Sequence, residues 1–145
     1  MNQIINGQVV ELTQAELDTI AAERQARAVP RAIKAKRREI LQQYSAAVAQ
    51  IKGGYDQNEI DSWPKQEAQA RAYLADPEAL GLDFLHNLAW QRGTPVPTLA
   101  ERIMLKVAEF EVAFSTALGT RDRRLTALAD IDLEAPNTLD LINNV

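Results

Sequence analysis

The side chains that could carry out chemistry are few, and they do not group into a known catalytic pattern. His86 is the only histidine, and Asp83 is the only carboxylate near it at a spacing that a metal site could use. The absence of cysteine excludes disulfides, thiolate ligands and a cysteine nucleophile. The serines have no local histidine or lysine context that would activate a hydroxyl group. The residues alone therefore support neither a hydrolase nor a metal site.

Other candidate motifs have plainer interpretations. Carboxylates two residues apart, such as Glu59 with Asp61 and Glu109 with Glu111, point to different sides of a helix and do not converge on one substrate bond. Gly53-Gly54 lacks the lysine and serine that follow a phosphate-binding glycine loop. These features predict solvated helix faces and a helix terminator.

A run of basic residues recurs every three or four positions and would line one helical face if Pro30 only kinks the helix. It comprises Arg24, Arg27, Arg31, Lys34 and Arg38. Such a row could meet phosphates, an acidic partner or the chain's own carboxylates. No aromatic residue interleaves with the run, and the net charge is −4 with a pI near 5.0. Nucleic-acid binding is therefore disfavoured but stays an alternative.

Local signals predict a mainly α-helical fold class, a small helical bundle with an N-terminal β-hairpin and an extended C-terminal tail. Residues 3 to 12 read as the hairpin, with Asn6-Gly7 as a type I′ turn. Thr13 and Glu16 have the spacing of a capping box, which predicts a helix over residues 14–29. We expect Pro30 to interrupt it and a second helix to run to about Lys52.

The later elements are predicted in the same way. Asp56 is the expected N-cap of a helix, in which Pro64 either starts a turn or introduces a kink. A short helix is expected to follow over residues 82–91. Thr98 and Glu101 repeat the capping-box spacing and predict a long helix from about Leu99 to Leu118, or on to Ala129 if Gly119 does not break it. Trp63 and Trp90 are expected to anchor the core, although Trp63 could instead be a surface hot spot.

These elements predict three parts. Residues 1–29 form a hairpin and exposed helix that act as a partner-binding arm, residues 30–129 form a helical body, and residues 130–145 form an extended tail. No apolar stretch approaches the roughly 18 residues of a membrane span, so we expect no membrane partner.

One segment has a more specific pattern. Residues 55–74 contain an acidic turn, the sequence Trp63-Pro64-Lys65-Gln66 and an alanine-rich helix that ends near Asp76-Pro77. In this respect the chain resembles a group of small tailed-bacteriophage proteins involved in tail and tail-fibre assembly. The order of the flanking elements is also similar, so that the resemblance covers roughly residues 4 to 128.

The resemblance implies a non-enzymatic, chaperone-like protein with no catalytic residues and no cofactor. Such a protein binds the phage tail fibre or another tail protein in the host cytoplasm during assembly. The alternatives are a structural component of the mature virion tail, at the fibre or baseplate, and a nucleic-acid-binding helical regulator. Homo-oligomerisation is left open. The residues predicted to bind the partner lie in the hairpin, the first helix and the Trp-Pro element: Ile4, Ile5, Val9, Val10, Leu17, Ile20, Arg24, Arg27 and Trp63.

Overall fold

The structure, a computed structural model, describes residues 2–5 and 8–145, with side chains described from Glu11 onward. Within these residues the elements are β1 (Asn2–Ile5), β2 (Gln8–Glu11), α1 (Gln14–Lys52), α2 (Gln57–Ala75), α3 (Asp83–Gln91), α4 (Val96–Ala129) and α5 (Thr138–Asn143). The protein is therefore mainly α-helical, as expected. Helix α1, with 39 residues, is much longer than the predicted helix over residues 14–29. Helix α4, with 34 residues, ends at Ala129, the longer of its two predicted extents.

The predicted fold class needs correction at both ends of the chain. The predicted Asn6-Gly7 turn of the N-terminal β-hairpin, like all side chains of residues 1–10, lies outside the described residues, so the complete hairpin is not seen. Residues 2–5 and 8–11 are two short antiparallel segments, with Ile4 opposite Val9. A two-stranded ribbon is marginal on its own in water, and every described core residue belongs to a helix or to a connection between helices.

The C-terminal tail is also not extended, which is a second correction. Its residues include helix α5, and the side chains of Thr138 and Ile142 are completely buried. Lys36 Nζ donates to the backbone carbonyl of Asn143 (3.0 Å), and Arg124 Nε donates to that of Val145 (2.9 Å). The two buried residues are four apart on one side of a single helical turn, and the tail folds because that side packs.

The prediction that Pro30 separates two helices is wrong. The helix continues from Gln14 to Lys52 with Pro30 inside it. A proline in this position removes one backbone hydrogen bond and crowds the preceding turn, at a cost of about 3 kcal/mol. Val29 and Ile40, on either side of it, are buried at 8% and 1% exposure, and their packing offsets that cost. Gly119 similarly lies inside α4 without ending it.

The chain forms two compact units. The first comprises residues 1–42 and 121–145, and its core is Val29, Ile40, Leu128 and Ile142. The second comprises residues 43–120, and its core joins α2, α3 and α4 through Ala70, Leu85, Ala89, Leu99, Ala100 and Ile103. The unit boundaries fall inside α1 and α4.

Candidate partner-binding surface

The first part of α1, from Gln14 to Arg27, is the most exposed regular element of the described chain, and we call it the arm. Every residue in it is exposed except Leu17 and Ile20, which are partly buried. The first buried residue of α1 is Val29, two positions beyond the arm. The arm therefore presents helical surface to solvent on most of its circumference, as the thin apolar stripe of its sequence predicts.

The arm begins with the predicted capping box, which is confirmed. Thr13 Oγ1 accepts a hydrogen bond from the backbone N–H of Glu16 (3.3 Å), and Glu16 Oε2 accepts one from the backbone N–H of Thr13 (2.8 Å). The latter bond, with a second one from the Thr13 hydroxyl, lowers the pKa of the Glu16 carboxyl. Local hydrogen bonds thus start the helix, although the arm contributes no residue to the buried core.

The residues predicted to bind a partner are brought together only in part. Leu17, Ile20, Arg24 and Arg27 lie on the arm. Ile4 and Ile5 lie in β1 and Val9 and Val10 in β2, but their side chains are outside the described residues. Trp63 belongs to the second compact unit. The surface that can be assembled from described side chains is therefore the arm alone.

The basic row on α1 lies on one uninterrupted helix, because Pro30 does not end it. Arg24, Arg27, Arg31, Lys34 and Arg38 are all exposed. Arg27 makes an ion pair with Glu23, but the N···O distance is 4.0 Å and both side chains are more than 60% exposed. A pair of this kind contributes little to stability, so the row keeps its positive charge available to another molecule.

Trp63 is the centre of an aromatic cluster in the second unit. Its ring packs edge-on against Tyr55 (5.3 Å between centroids, 83°) and Phe110 (5.4 Å, 74°), and Phe110 stacks on Phe114 (5.6 Å, 9°). Trp63 is partly buried. These contacts fasten the start of α2 to the middle of α4, which fits the core-anchor interpretation better than the surface hot spot.

Lys106 extends this cluster by a polar contact. Its Nζ donates to the Tyr55 hydroxyl (3.1 Å) and lies 5.8 Å from the centroid of the same ring. The hydrogen bond to Tyr55 raises the pKa of the Lys106 ammonium group. Through these two contacts the lysine covers one edge of the aromatic cluster.

The prediction that Trp90 anchors the core is wrong. Its side chain is 79% exposed, and Leu80, just before α3, is 98% exposed. The buried residues of α3, Leu85 and Ala89, lie on a different side of this short helix from Trp90. The spacing of these residues could have indicated the exposure of Trp90, because Trp90 follows Ala89 directly and is turned about 100° away from it.

The carboxylates considered as candidate chemical groups lie mostly on exposed surface: Asp61, Asp83, Glu109 and Glu111 are exposed, and Glu59 is partly buried. His86 is exposed and packs edge-on against Tyr73, with 6.1 Å between ring centroids. Within residues 2–5 and 8–145, no group of three or more histidine, cysteine, aspartate or glutamate residues is placed to hold a metal ion. None of the helices described is both long and apolar enough to cross a membrane.

Comparison of the chain with protein-family models, curated proteins and solved structures finds no match.

Proposed function

We propose that this chain is a non-enzymatic, chaperone-like protein of bacteriophage tail or tail-fibre assembly, which binds the tail fibre through the arm. The sequence support is the resemblance of the Trp-Pro element and its flanks to that group of proteins. In this role the chain acts in the host cytoplasm and needs no catalytic residue, because holding a fibre during assembly requires only a binding surface.

The observation that carries the proposal is the exposed arm. A helix that starts with its own capping box and then runs from Gln14 to Arg27 outside the described core gains little stability from packing on the described part of the chain. Its two large apolar side chains, Leu17 and Ile20, are only partly buried, and its cations Arg24 and Arg27 are exposed. Binding of a second protein to this helix would add the packing that it lacks.

The first test is co-purification with the tail-fibre protein of the same phage after co-expression. We expect the fibre to be retained by the wild-type chain and lost from a variant that carries Leu17→Asp and Ile20→Asp. Leu80→Asp is the matched control, because Leu80 is 98% exposed and lies outside the arm. Equal retention by all three proteins would contradict binding through the arm, and no retention by the wild type would contradict fibre binding.

The second test separates an assembly factor from a virion component. The chain is quantified by mass spectrometry in purified phage particles and in the infected lysate. An assembly factor that leaves is expected in the lysate and absent from particles. A level in particles that matches the copy number of the fibre or baseplate would instead make the chain a structural component.

A further inference from the structure

The basic row on α1 is part of a longer pattern with the period of a coiled coil. Successive members are separated by alternating steps of three and four residues, which is the spacing of the a and d positions of a heptad. Apolar residues occupy the ends of the pattern and cations occupy the middle. We call this set the seam: Leu17, Ile20, Arg24, Arg27, Arg31, Lys34, Arg38 and Leu41.

The seam faces away from the core of its own unit. At about 100° per residue, its five cations fall within a sector of roughly 80° and extend over about 21 Å of helix. The apolar face of α1 that packs in this unit, which includes Val29, Ile33 and Ile40, is centred about 160° from that sector. The five cations are exposed, and Leu41 is 41% exposed.

The charges of the seam are not neutralised within the described part of the chain. Arg24, Arg31, Lys34 and Arg38 form no ion pair there, and the Arg27 pair with Glu23 is long and exposed. No acidic residue lies in the same sector between Arg24 and Arg38. A row of unpaired like charges on one helix face is unfavourable for the isolated chain and becomes favourable when an anionic partner covers it.

We infer that the seam binds an α-helix of a partner protein that carries carboxylates at alternating steps of three and four residues, with apolar residues at the ends of the row. A helix is favoured because only another helix repeats the heptad spacing along its whole length. Leu17, Ile20 and Leu41 favour it further, since apolar ends suit helix packing and have no function against a phosphate backbone. The net charge of −4 also disfavours duplex nucleic acid as the partner.

The choice of cation supports a carboxylate row. Four of the five cations are arginines, and a guanidinium group binds a carboxylate through two parallel hydrogen bonds, which an ammonium group does not. Its stem can cover apolar surface of the partner while the charged head pairs at the edge. No described helix of this chain carries three carboxylates in succession at this spacing, so a second copy of the chain does not supply the partner helix.

The inference rests on the proposed function in one respect, namely that the arm is a partner-binding element. It adds the chemistry of the partner and extends the surface beyond Arg27 to Leu41. It can be tested with the full chain and a synthetic probe, without any phage protein.

The probe is a fluorescein-labelled helical peptide with five glutamates at alternating steps of three and four residues, with leucines at both ends. A second peptide of the same composition distributes the glutamates around the helix, and a labelled 20-base-pair DNA duplex is the third ligand. Binding is measured by fluorescence anisotropy at about 50 mM salt, where exposed charges are weakly screened. We expect the ordered peptide to bind at least about tenfold more tightly than either alternative.

The variant Arg27→Glu, Arg31→Glu, Lys34→Glu is expected to weaken binding of the ordered peptide by about tenfold or more. The matched control, Arg37→Glu, Arg102→Glu, Arg123→Glu, makes the same change of net charge at exposed positions outside the seam and is expected to change affinity by less than about threefold. Circular dichroism checks that both fold. If the seam variant does not fold, glutamine replacements at the same positions give the same comparison.

Three results would overturn the inference: equal affinity for the ordered and scrambled peptides, equal losses in the two triple variants, or tighter binding of the duplex. The last would assign the seam to nucleic acid. Peptide binding without fibre retention would leave the seam in place and remove the proposed function. Fibre retention without peptide binding would support the proposed function and remove the inference about the seam.

Discussion

Ile142 shows how much of the C-terminal segment depends on one side chain. It is completely buried in the core of the first unit with Val29, Ile40 and Leu128. We expect Ile142→Ala to reduce the free energy of unfolding by about 2–5 kcal/mol, because the substitution leaves a cavity. Urea unfolding followed by circular dichroism measures it. Leu141→Ala, at a side chain 37% exposed, is the control and should cost clearly less; equal losses would contradict the packing of α5.

The two tryptophans give a matched comparison within the same residue type. Trp63→Leu removes two edge-on ring contacts and is expected to cost about 1–3 kcal/mol of stability. Trp90→Leu, at a side chain 79% exposed, should change stability by less than about 0.5 kcal/mol. The stability of each variant is measured from its urea unfolding midpoint. A larger loss of stability for Trp90→Leu than for Trp63→Leu would mean that Trp90, and not Trp63, anchors the core.

Glu39 should make the first unit sensitive to acid. Its carboxyl pairs with Lys36 (3.3 Å) and Arg124 (3.4 Å), and the hydrogen bond from Lys36 is the main cause of its lowered pKa. A carboxyl whose pKa is lower in the folded state stabilises the fold above its ordinary pKa of 4.5 and loses that effect as the pH falls through the folded value.

We therefore expect Glu39→Gln to lower the urea midpoint at pH about 7 and to leave it unchanged relative to wild type at pH about 2, where the carboxyl is protonated in both states. Glu111→Gln, at an exposed position of α4, is the control. A difference between Glu39→Gln and wild type that persists at the lower pH would show that the side chain acts by packing and not by charge.

At the scale of elements, the sequence predicts where α1 and α2 start better than where helices are interrupted. The capping box at Thr13 and the N-cap at Asp56, whose Oδ1 accepts from the backbone N–H of Glu59 (2.9 Å), are both confirmed. These signals are hydrogen bonds between near neighbours. The spacing at Thr98 was misleading, because α4 already begins at Val96.

The helix interruption expected at Pro30, and the one left open at Gly119, do not occur. Whether such residues end a helix depends on contacts between residues far apart in the sequence, which local patterns do not show. The local cost of such a residue is a few kcal/mol at most, and burial of the flanking residues can exceed it. The α5 helix was missed for the same reason. One of its two buried residues is a threonine, and its apolar neighbours Leu139 and Leu141 are each 37% exposed, so its pattern is a poor guide to its packing.

If Pro30 is tolerated only because its neighbours pack, its removal should stabilise α1. Pro30→Ala restores an N–H donor to the helix interior and is expected to increase the free energy of unfolding by about 1–3 kcal/mol. The reverse change, Ala35→Pro, at an exposed position of the same helix, should decrease it by about 3 kcal/mol or more. If chemical denaturation gives Pro30→Ala the same free energy of unfolding as wild type, Pro30 does not destabilise the helix.

At the scale of the whole molecule, the two compact units could not be predicted from the sequence. Domain boundaries are normally sought in polar or glycine-rich linkers, whereas these fall at residues 42 and 120, inside α1 and α4. The candidate site was predicted in part: the exposed arm and its cations follow from the spacing, but the extension of the seam to Leu41 requires a helix that passes through Pro30.

The same arrangement predicts where a protease can cut. Endoproteinase Glu-C needs locally unfolded backbone, so it should cleave after Glu78 and Glu134, which lie between helices, before it cleaves after Glu101, Glu109 or Glu111 in α4. Mass spectrometry of a time course measures the order. Early cleavage after Glu101, Glu109 or Glu111 would contradict a stably folded α4 within the second unit.

The continuity of α1 also restricts how the length of the gene can change over evolution. One residue inserted into α1 between Val29 and Ile40 would rotate Ile40 by about 100° relative to Val29, so that the two side chains would no longer face the same core. An insertion between helices, in residues 76–82 or 130–137, changes no such phase. Insertions and deletions in natural variants of this chain are therefore expected to accumulate in those two connections and to be absent from the middle of α1 and α4.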